Sequence, residues 1–458
     1  MARRVTFVAV LAVLLAATCG NDTTDDTADD TGTTQGQPVV IDTDMSVEGA
    51  MSILYLIRHP EVRVEAITVS GTGLVACDRG VEQALGLVAL AEGGDIPVAC
   101  GSTEPLSGDN AFPGPFRTAA GSLSGVALPT GGEPSELDAP DLLASTILDA
   151  GEPVAVYGDG PSTNLAHMIE RSPEVVDNIS QMTLMGGAVD VPGTVFDNPD
   201  AEWNVWVDPT ALDTVMAAGV PITLVPLDAT NDVPLTPLHL EALEAHQGDE
   251  VAETVYQLVR GASGLDAGFV YLWDQLTAAV LVDDSVVTIE QRPIAVVTEG
   301  GVLSGATVDD PTGTTVSVAV AADREAFERT FFTTLLGEPF EPVELSPALS
   351  VGYDGENWTH DAPAALPAGT YAVAMTNDSD QSALTAIGWL TGDATLDDLD
   401  AWESVEQPPF LEVAGFVAAE PGASETRVIT IDQVGQNIVM GLTFEPDSAN
   451  RIALFDVG

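Results

Sequence analysis

Two aspartates one residue apart, Asp42 and Asp44, close the apolar run Val39-Val-Ile, and Glu48 follows a helical turn later. Carboxylates at the end of a buried strand can share a hard divalent cation, take a proton from water, or stabilise positive charge on a substrate. Three further segments have the same character. Gly158-Asp159-Gly-Pro-Ser-Thr163-Asn164 follows Val154-Ala-Val-Tyr. Leu184-Met-Gly186-Gly187 leads through Gly193-Thr194 to Glu202-Trp203-Asn204 and Asp208-Pro209. Leu272-Trp273-Asp274 opens an apolar helical pattern. Each alone has a plainer reading: a helix cap for the Asp-x-Asp, a tight turn for Gly-Pro-Ser-Thr-Asn, loop polars for Glu202 and Asn204, core for Trp273.

These segments sit at one kind of place. Val39-Val-Ile-Asp-Thr, Val64-Glu-Ala-Ile-Thr-Val, Val154-Ala-Val-Tyr, Met182-Thr-Leu-Met and Ile222-Thr-Leu-Val have the composition of strands buried on both faces. Amphipathic stretches lie between them: Ala50 to Arg58, Gly80 to Ala91, Asp141 to Asp149 and Thr163 to Ile169. The alternation predicts a doubly wound, mostly parallel α/β sheet over residues 38–337, whose ligands bind beyond the carboxyl ends of the strands. Past Gly337 the pattern changes to short alternating runs between Pro, Gly, Asn and Thr turns, such as Tyr371-Ala-Val-Ala-Met-Thr and Arg427-Val-Ile-Thr-Ile. Residues 338–458 therefore read as an all-β sandwich. Its layout resembles a cupredoxin, but with His360 as its single His and no Cys it has no blue-copper ligand set.

Charge and the N-terminus bound the setting. Acidic residues number 71 against 13 basic ones, all of them Arg, and the formal net charge of −58 excludes nucleic acid as a partner. Such a chain suits either high salt, where screening removes self-repulsion, or an ordinary acidic secreted protein. Arg3 and Arg4 precede an apolar run, Val5 to Ala17, too short to span a bilayer and suited to a signal peptide over residues 1–19. Cys19 follows Leu-Ala-Ala-Thr, similar to the box before a lipidated Cys, although Thr18 is a poor match there. Residues 20–37 are rich in Asp, Thr and Gly and read as a disordered tether. An exported protein is expected, membrane-anchored through an N-terminal lipid or otherwise secreted. Cys77 and Cys100 are open to a disulfide or to two buried thiols, and no CxxC or His/Cys cluster offers a thiolate zinc site.

Taken in order, the acidic segments resemble the inosine-uridine-preferring nucleoside hydrolase family. Its opening motif is a strand ending in Asp-x-Asp, with two adjacent aspartates one turn later. The resemblance runs from about Val39 to Gly337 and includes Gly71-Thr-Gly, Ile96-Pro-Val-Ala-Cys-Gly and Pro226-Leu-Asp228-Ala-Thr. It implies hydrolysis of the N-glycosidic bond of a ribonucleoside or related N-riboside by Ca2+-activated water, with a homo-oligomer within expectation. It further implies that Asp44 is calcium ligand and base, that Asp274 is a calcium ligand contacting ribose, and that the backbone carbonyl of Asp159 completes the cage. Asp42 supports the site, and Glu202 and Asn204 match the ribose-binding pair.

The match departs from the pattern in three places. Glu48 and Gly49 stand where the family has its adjacent aspartates, the first a ribose contact and the second a calcium ligand. A weakened calcium site is therefore expected, with Glu48 or water filling the gap and Gly49→Asp restoring affinity. Thr194 lies where an Asn often binds ribose, and Trp273 replaces a His that in some members protonates the departing base. A Trp cannot supply that proton but can stack on a base. The rival to an enzyme is a non-catalytic surface lipoprotein that binds a nucleoside or sugar, and a third reading is an adhesion module acting through the β domain.

Overall fold

The computed structural model describes residues 36–262, 264–265, 270–400, 408–443 and 450–458. The signal-like segment and all but the last two residues of the tether lie outside them, and Gln37 already belongs to the first strand.

The apolar runs fold into a nine-stranded sheet. Its strands are β1 (Gln37–Thr43), β2 (Val62–Val69), β3 (Val98–Cys100), β4 (Val154–Gly158), β5 (Ile179–Met185), β6 (Ile222–Val225), β7 (Val287–Val296), β8 (Thr307–Asp309) and β9 (Thr314–Ala322). Their order is β3-β2-β1-β4-β5-β6-β9-β7-β8, parallel from β3 through β9, with β7 and β8 as an antiparallel edge. Side chains alternate between two cores: Val39, Ile41, Ala155 and Tyr157 on one face, Val40, Val154 and Val156 on the other. Helices cover both faces, which is why these strands are apolar throughout. The doubly wound sheet expected from the sequence is the sheet observed.

The strand order dictates where a site can form. From β1 the chain moves outward to β2 and β3, then returns past β1 to β4. Strands β1 and β4 thus flank the switch point of the sheet, with Asp42 in register with Gly158. In doubly wound sheets the crossovers diverge at such a point, and ligands bind beyond the strand ends.

Cys77, the first residue of the helix Cys77–Leu90, is bonded to Cys100, the last residue of β3. The bond spans 23 residues, and the loss of chain entropy in the unfolded state is worth about 3 kcal/mol. Reduction, or the double change Cys77→Ser/Cys100→Ser, is expected to lower the unfolding free energy by about that amount in a urea titration.

The helix Arg324–Leu336 ends at Gly337, whose left-handed backbone (φ 72°) closes the last turn. Phe340 and Val343 still pack in the first core, so the chain leaves it several residues beyond Gly337. The C-terminal strands then form two sheets. One orders Trp358–His360, Leu349–Tyr353, Gly369–Asn377 and Ser424–Ile431; the other orders Ala365–Leu366, Asn450–Val457, Gly435–Thr443, Ala383–Leu390 and Leu411–Ala419. Val373 and Ile429 of the first share a core with Ile387, Val439 and Phe455 of the second. That shared core makes the pair a sandwich.

Candidate active site

The first acidic segment turns sharply off β1. Met45 has a left-handed backbone (φ 61°), uncommon for a residue with a side chain, and fully buried packing holds it there. Ser46 then caps the helix Val47–Arg58, its Oγ accepting from the Gly49 N–H at 2.7 Å. Both aspartates are buried. Asp42 Oδ1 accepts from Thr68 Oγ1 and from Asn164 Nδ2, each at 2.7 Å. Burial pushes its carboxyl up to about 7, with these two hydrogen bonds working the other way. Asp44 accepts from the Ser46 N–H (3.1 Å) and the Leu74 N–H (3.3 Å). Its carboxyl is held well above the usual range by burial first and by the charge of Asp159 second.

The other segments converge on it. Gly73 and Gly160 pack against Asp44 so closely that an added Cβ would lie 2.2 Å and 2.7 Å from the Asp44 Cβ. Asp159, just after β4, accepts from the Asp44 N–H at 3.2 Å through Oδ1 and from the Tyr157 hydroxyl at 2.9 Å through Oδ2. Burial raises its carboxyl to about 6. The Tyr157 hydroxyl also lies 3.0 Å from the backbone oxygen of Asp274, so it stands between the two segments. Asp274, in the first turn of the helix Trp273–Val282, accepts from Ser46 Oγ at 2.7 Å through Oδ2. Burial, then Asp159, Asp44 and Glu48 in turn, hold it well above the ordinary range. Glu48 is half-buried beside them, its carboxyl raised chiefly by burial.

The Glu202–Asn204 pair reaches the cluster from the third segment. The Asn204 Nδ2 donates to the Asp159 carbonyl at 3.0 Å. The Glu202 carboxylate accepts from the backbone N–H groups of Asn204 (2.8 Å), Gly187 (3.1 Å) and Val205 (3.2 Å), so it ties the Gly186-Gly187 turn to the helix Trp203–Val207. Burial still raises it from 4.5 to about 6. A native carboxyl that holds its proton more tightly than the unfolded one binds more protons between those values. Stability should therefore fall as pH rises from about 4.5 to about 6, by about 2 kcal/mol from this group. Glu202→Gln is expected to flatten that part of the pH profile in chemical denaturation.

Trp273 is half-buried against Met185, Ala188 and Leu227, and its Nε1–H has no protein partner. Thr194 stands apart: it is exposed on the loop closed by the Val195–Asn198 and Ala201–Ala306 bridges. On the same loop, Phe196 is 76% exposed and meets Phe116 and Trp203 edge-on. This aromatic group was not read from the sequence.

Among the described residues, no three His, Cys, Asp or Glu side chains are arranged to hold a metal ion. The donor chemistry nonetheless fits one. Asp44, Glu48, Asp159 and Asp274 lie close enough for their negative charges to oppose one another's ionisation, and no cationic side chain among the described residues offsets them at Asp44 or Asp274. Closely placed buried carboxylates need protons or a cation to coexist.

A family model described as inosine-uridine preferring nucleoside hydrolase matches residues 39–329. The chain belongs to this family. It is 30% identical over 302 residues to the pyrimidine-specific ribonucleoside hydrolase RihA of Salmonella schwarzengrund (strain CVM19633), covering 63% of this chain and 95% of that protein. RihA of Escherichia fergusonii is 31% identical over 304 residues, with the same coverage. Among solved structures, the purine-preferring ribonucleoside hydrolase from Gardnerella vaginalis superposes with a TM-score of 0.59 at 26% identity, over 66% of this chain and 98% of that one. The plant nucleoside hydrolase PpNRh1 gives 0.60 at 28%, over 66% and 99%.

In this nucleoside hydrolase family member, three groups escaped the sequence reading: Ser46, Tyr157, and Thr43, whose Oγ1 accepts from the Met45 N–H at 3.0 Å and whose hydroxyl bonds the Asp159 carboxylate. Ser46 carried a usable signal, a Ser immediately before a helical apolar pattern. Tyr157 carried none, because its link to Asp274 joins residues 117 apart.

Proposed function

We propose that the protein is an exported hydrolase that cleaves ribonucleosides to free base and ribose with the help of bound Ca2+. The observation that carries this is the meeting of Asp44, Asp159 and Asp274 at the switch point of a nucleoside hydrolase sheet.

Asp44, Asp274 and Asp159 would hold the ion, which would supply Lewis acidity for the attacking water and a positive charge for the ribose oxygens. Asp44, its carboxyl raised by burial, is suited to take the proton from that water. The neighbouring carboxylates favour the positive charge that develops on the sugar as the C–N bond breaks. Glu202 fixes Asn204 at the cluster, and on the family resemblance this pair, with Glu48, would contact the ribose. Trp273 offers its ring face to the base. A proton for the departing base would come from solvent or from a group other than Trp273. Asp42 steadies the end of β1 through Thr68 and Asn164.

Export is supported by the apolar run after Arg3 and Arg4 and by the Cys77–Cys100 bond, which persists in oxidising compartments. Cys19 is placed for a lipid anchor.

The test is release of free base from a panel of ribonucleosides by the purified protein, with Ca2+ and with a chelator, across a salt series reaching high concentrations. Calcium-dependent release from at least one nucleoside is the expected result. No release by folded protein would overturn the enzyme and leave a nucleoside-binding protein.

A further inference from the structure

Gly49 removes a side chain from the acidic segment, yet it leaves no gap. A Cβ built on Gly49 would lie 2.8 Å from Asp159 Oδ2, 2.9 Å from Thr43 Oγ1 and 3.2 Å from Ser46 Oγ. None of these three oxygens is the loose end of a flexible side chain. Asp159 is held through both oxygens, by the Asp44 N–H and by the Tyr157 hydroxyl. Ser46 Oγ joins the Gly49 N–H to Asp274 Oδ2 at 2.7 Å on each side. Thr43 Oγ1 accepts from the Met45 N–H at 3.0 Å. The space beside residue 49 is therefore filled by a carboxylate that arrives from the end of β4.

We infer that Gly49 and Asp159 form one exchange, in which the side chain of Asp159 supplies to the cation site the carboxylate that residue 49 does not, and Gly49 is the residue that admits it. This rests on the cation site proposed above. The cluster keeps Asp44 just after β1, Glu48 on the helix Val47–Arg58, Asp159 just after β4 and Asp274 on the helix Trp273–Val282, so its negative charge is not reduced by the glycine. Three consequences follow. Asp159 contributes through its side chain and not only through its backbone carbonyl, which already accepts from Asn204. The site is not weakened by one carboxylate, as the motif alone suggests. Gly49→Asp does not restore a ligand; it places a second carboxylate on top of the first.

The test is a double-mutant cycle read by Ca2+ calorimetry on the metal-free protein and by its unfolding temperature in chelator. Asp159→Asn preserves shape and an acceptor for the Asp44 N–H while removing the charge. It should weaken Ca2+ binding roughly tenfold or more without lowering the unfolding temperature in chelator. Gly49→Asp should lower that temperature and leave Ca2+ binding no tighter. Combining Gly49→Asp with Asp159→Ser should recover both, because one carboxylate then occupies the space. Tighter binding by Gly49→Asp alone would overturn the inference, as would an unchanged affinity in Asp159→Asn. If the wild-type protein binds no Ca2+, the cation site falls and the inference with it. Loss of binding confined to Asp159→Asn, or its absence there alone, judges the exchange separately.

Discussion

Asp44→Asn should reduce base release about a thousandfold while leaving the metal-free fold at least as stable as the wild type. The two halves come from the same geometry. Asp44 is the residue on which the glycine loops at Gly73 and Gly160 close and to which Asp159 is tied, so the acidic segments meet on it. An amide has the same shape and keeps an oxygen for the Ser46 N–H, giving up only the longer bond from the Leu74 N–H (3.3 Å), but it neither takes a proton from water nor contributes charge to a cation. Stability moves the other way because the carboxylate is costly in the free protein: burial and the charge of Asp159 both oppose its ionisation. Steady-state kinetics with Ca2+ and denaturation in chelator measure the two halves. Activity within tenfold of wild type would remove Asp44 from the role of base.

The contrast between what the chain disclosed and what it withheld has a physical basis. Val39-Val-Ile and Val154-Ala-Val-Tyr could be read as central strands because burial on both faces leaves no polar position to disguise them. The residues after them could be singled out because a doubly wound sheet has only one kind of place for a ligand. The edge was less visible. β7 contains Pro293 and buries only Ile294 and Val296, so nothing in it resembles the parallel strands it joins through β9. Thr194 was placed by position in a motif, but the loop from Val195 to Ala201 carries it to the surface, and a change of loop length alters geometry more than identity. Gly49 is the clearest case. Read along the chain it is a missing ligand, whereas in space it is the neighbour of Asp159, 110 positions away, and only the fold brings the two together.

A second contact of that kind predicts the largest loss of stability. Gly101 follows the disulfide-bonded Cys100, and a Cβ at this position would lie 1.7 Å from Asn164 Oδ1. That is bonding distance, so Gly101→Ala must expel the Asn164 amide. The amide is fully buried, and its Nδ2 holds both Asp42 Oδ1 at 2.7 Å and the Val69 carbonyl at 3.1 Å. Overpacking and the loss of two buried hydrogen bonds together should cost about 4 kcal/mol. The damage would also reach the site. The Asn164 hydrogen bond opposes the effect of burial on the Asp42 carboxyl more strongly than Thr68 does, so its loss moves Asp42 further toward the protonated form. The end of β1 then loses the charged anchor that sets the turn into Asp44. Asn164→Ser in the Gly101→Ala background should relieve the clash but not replace the lost donor, so it should recover only part of the stability. Urea titrations of the two variants measure this, and a Gly101→Ala protein as stable as the wild type would mean that Asn164 does not hold Asp42 in this way.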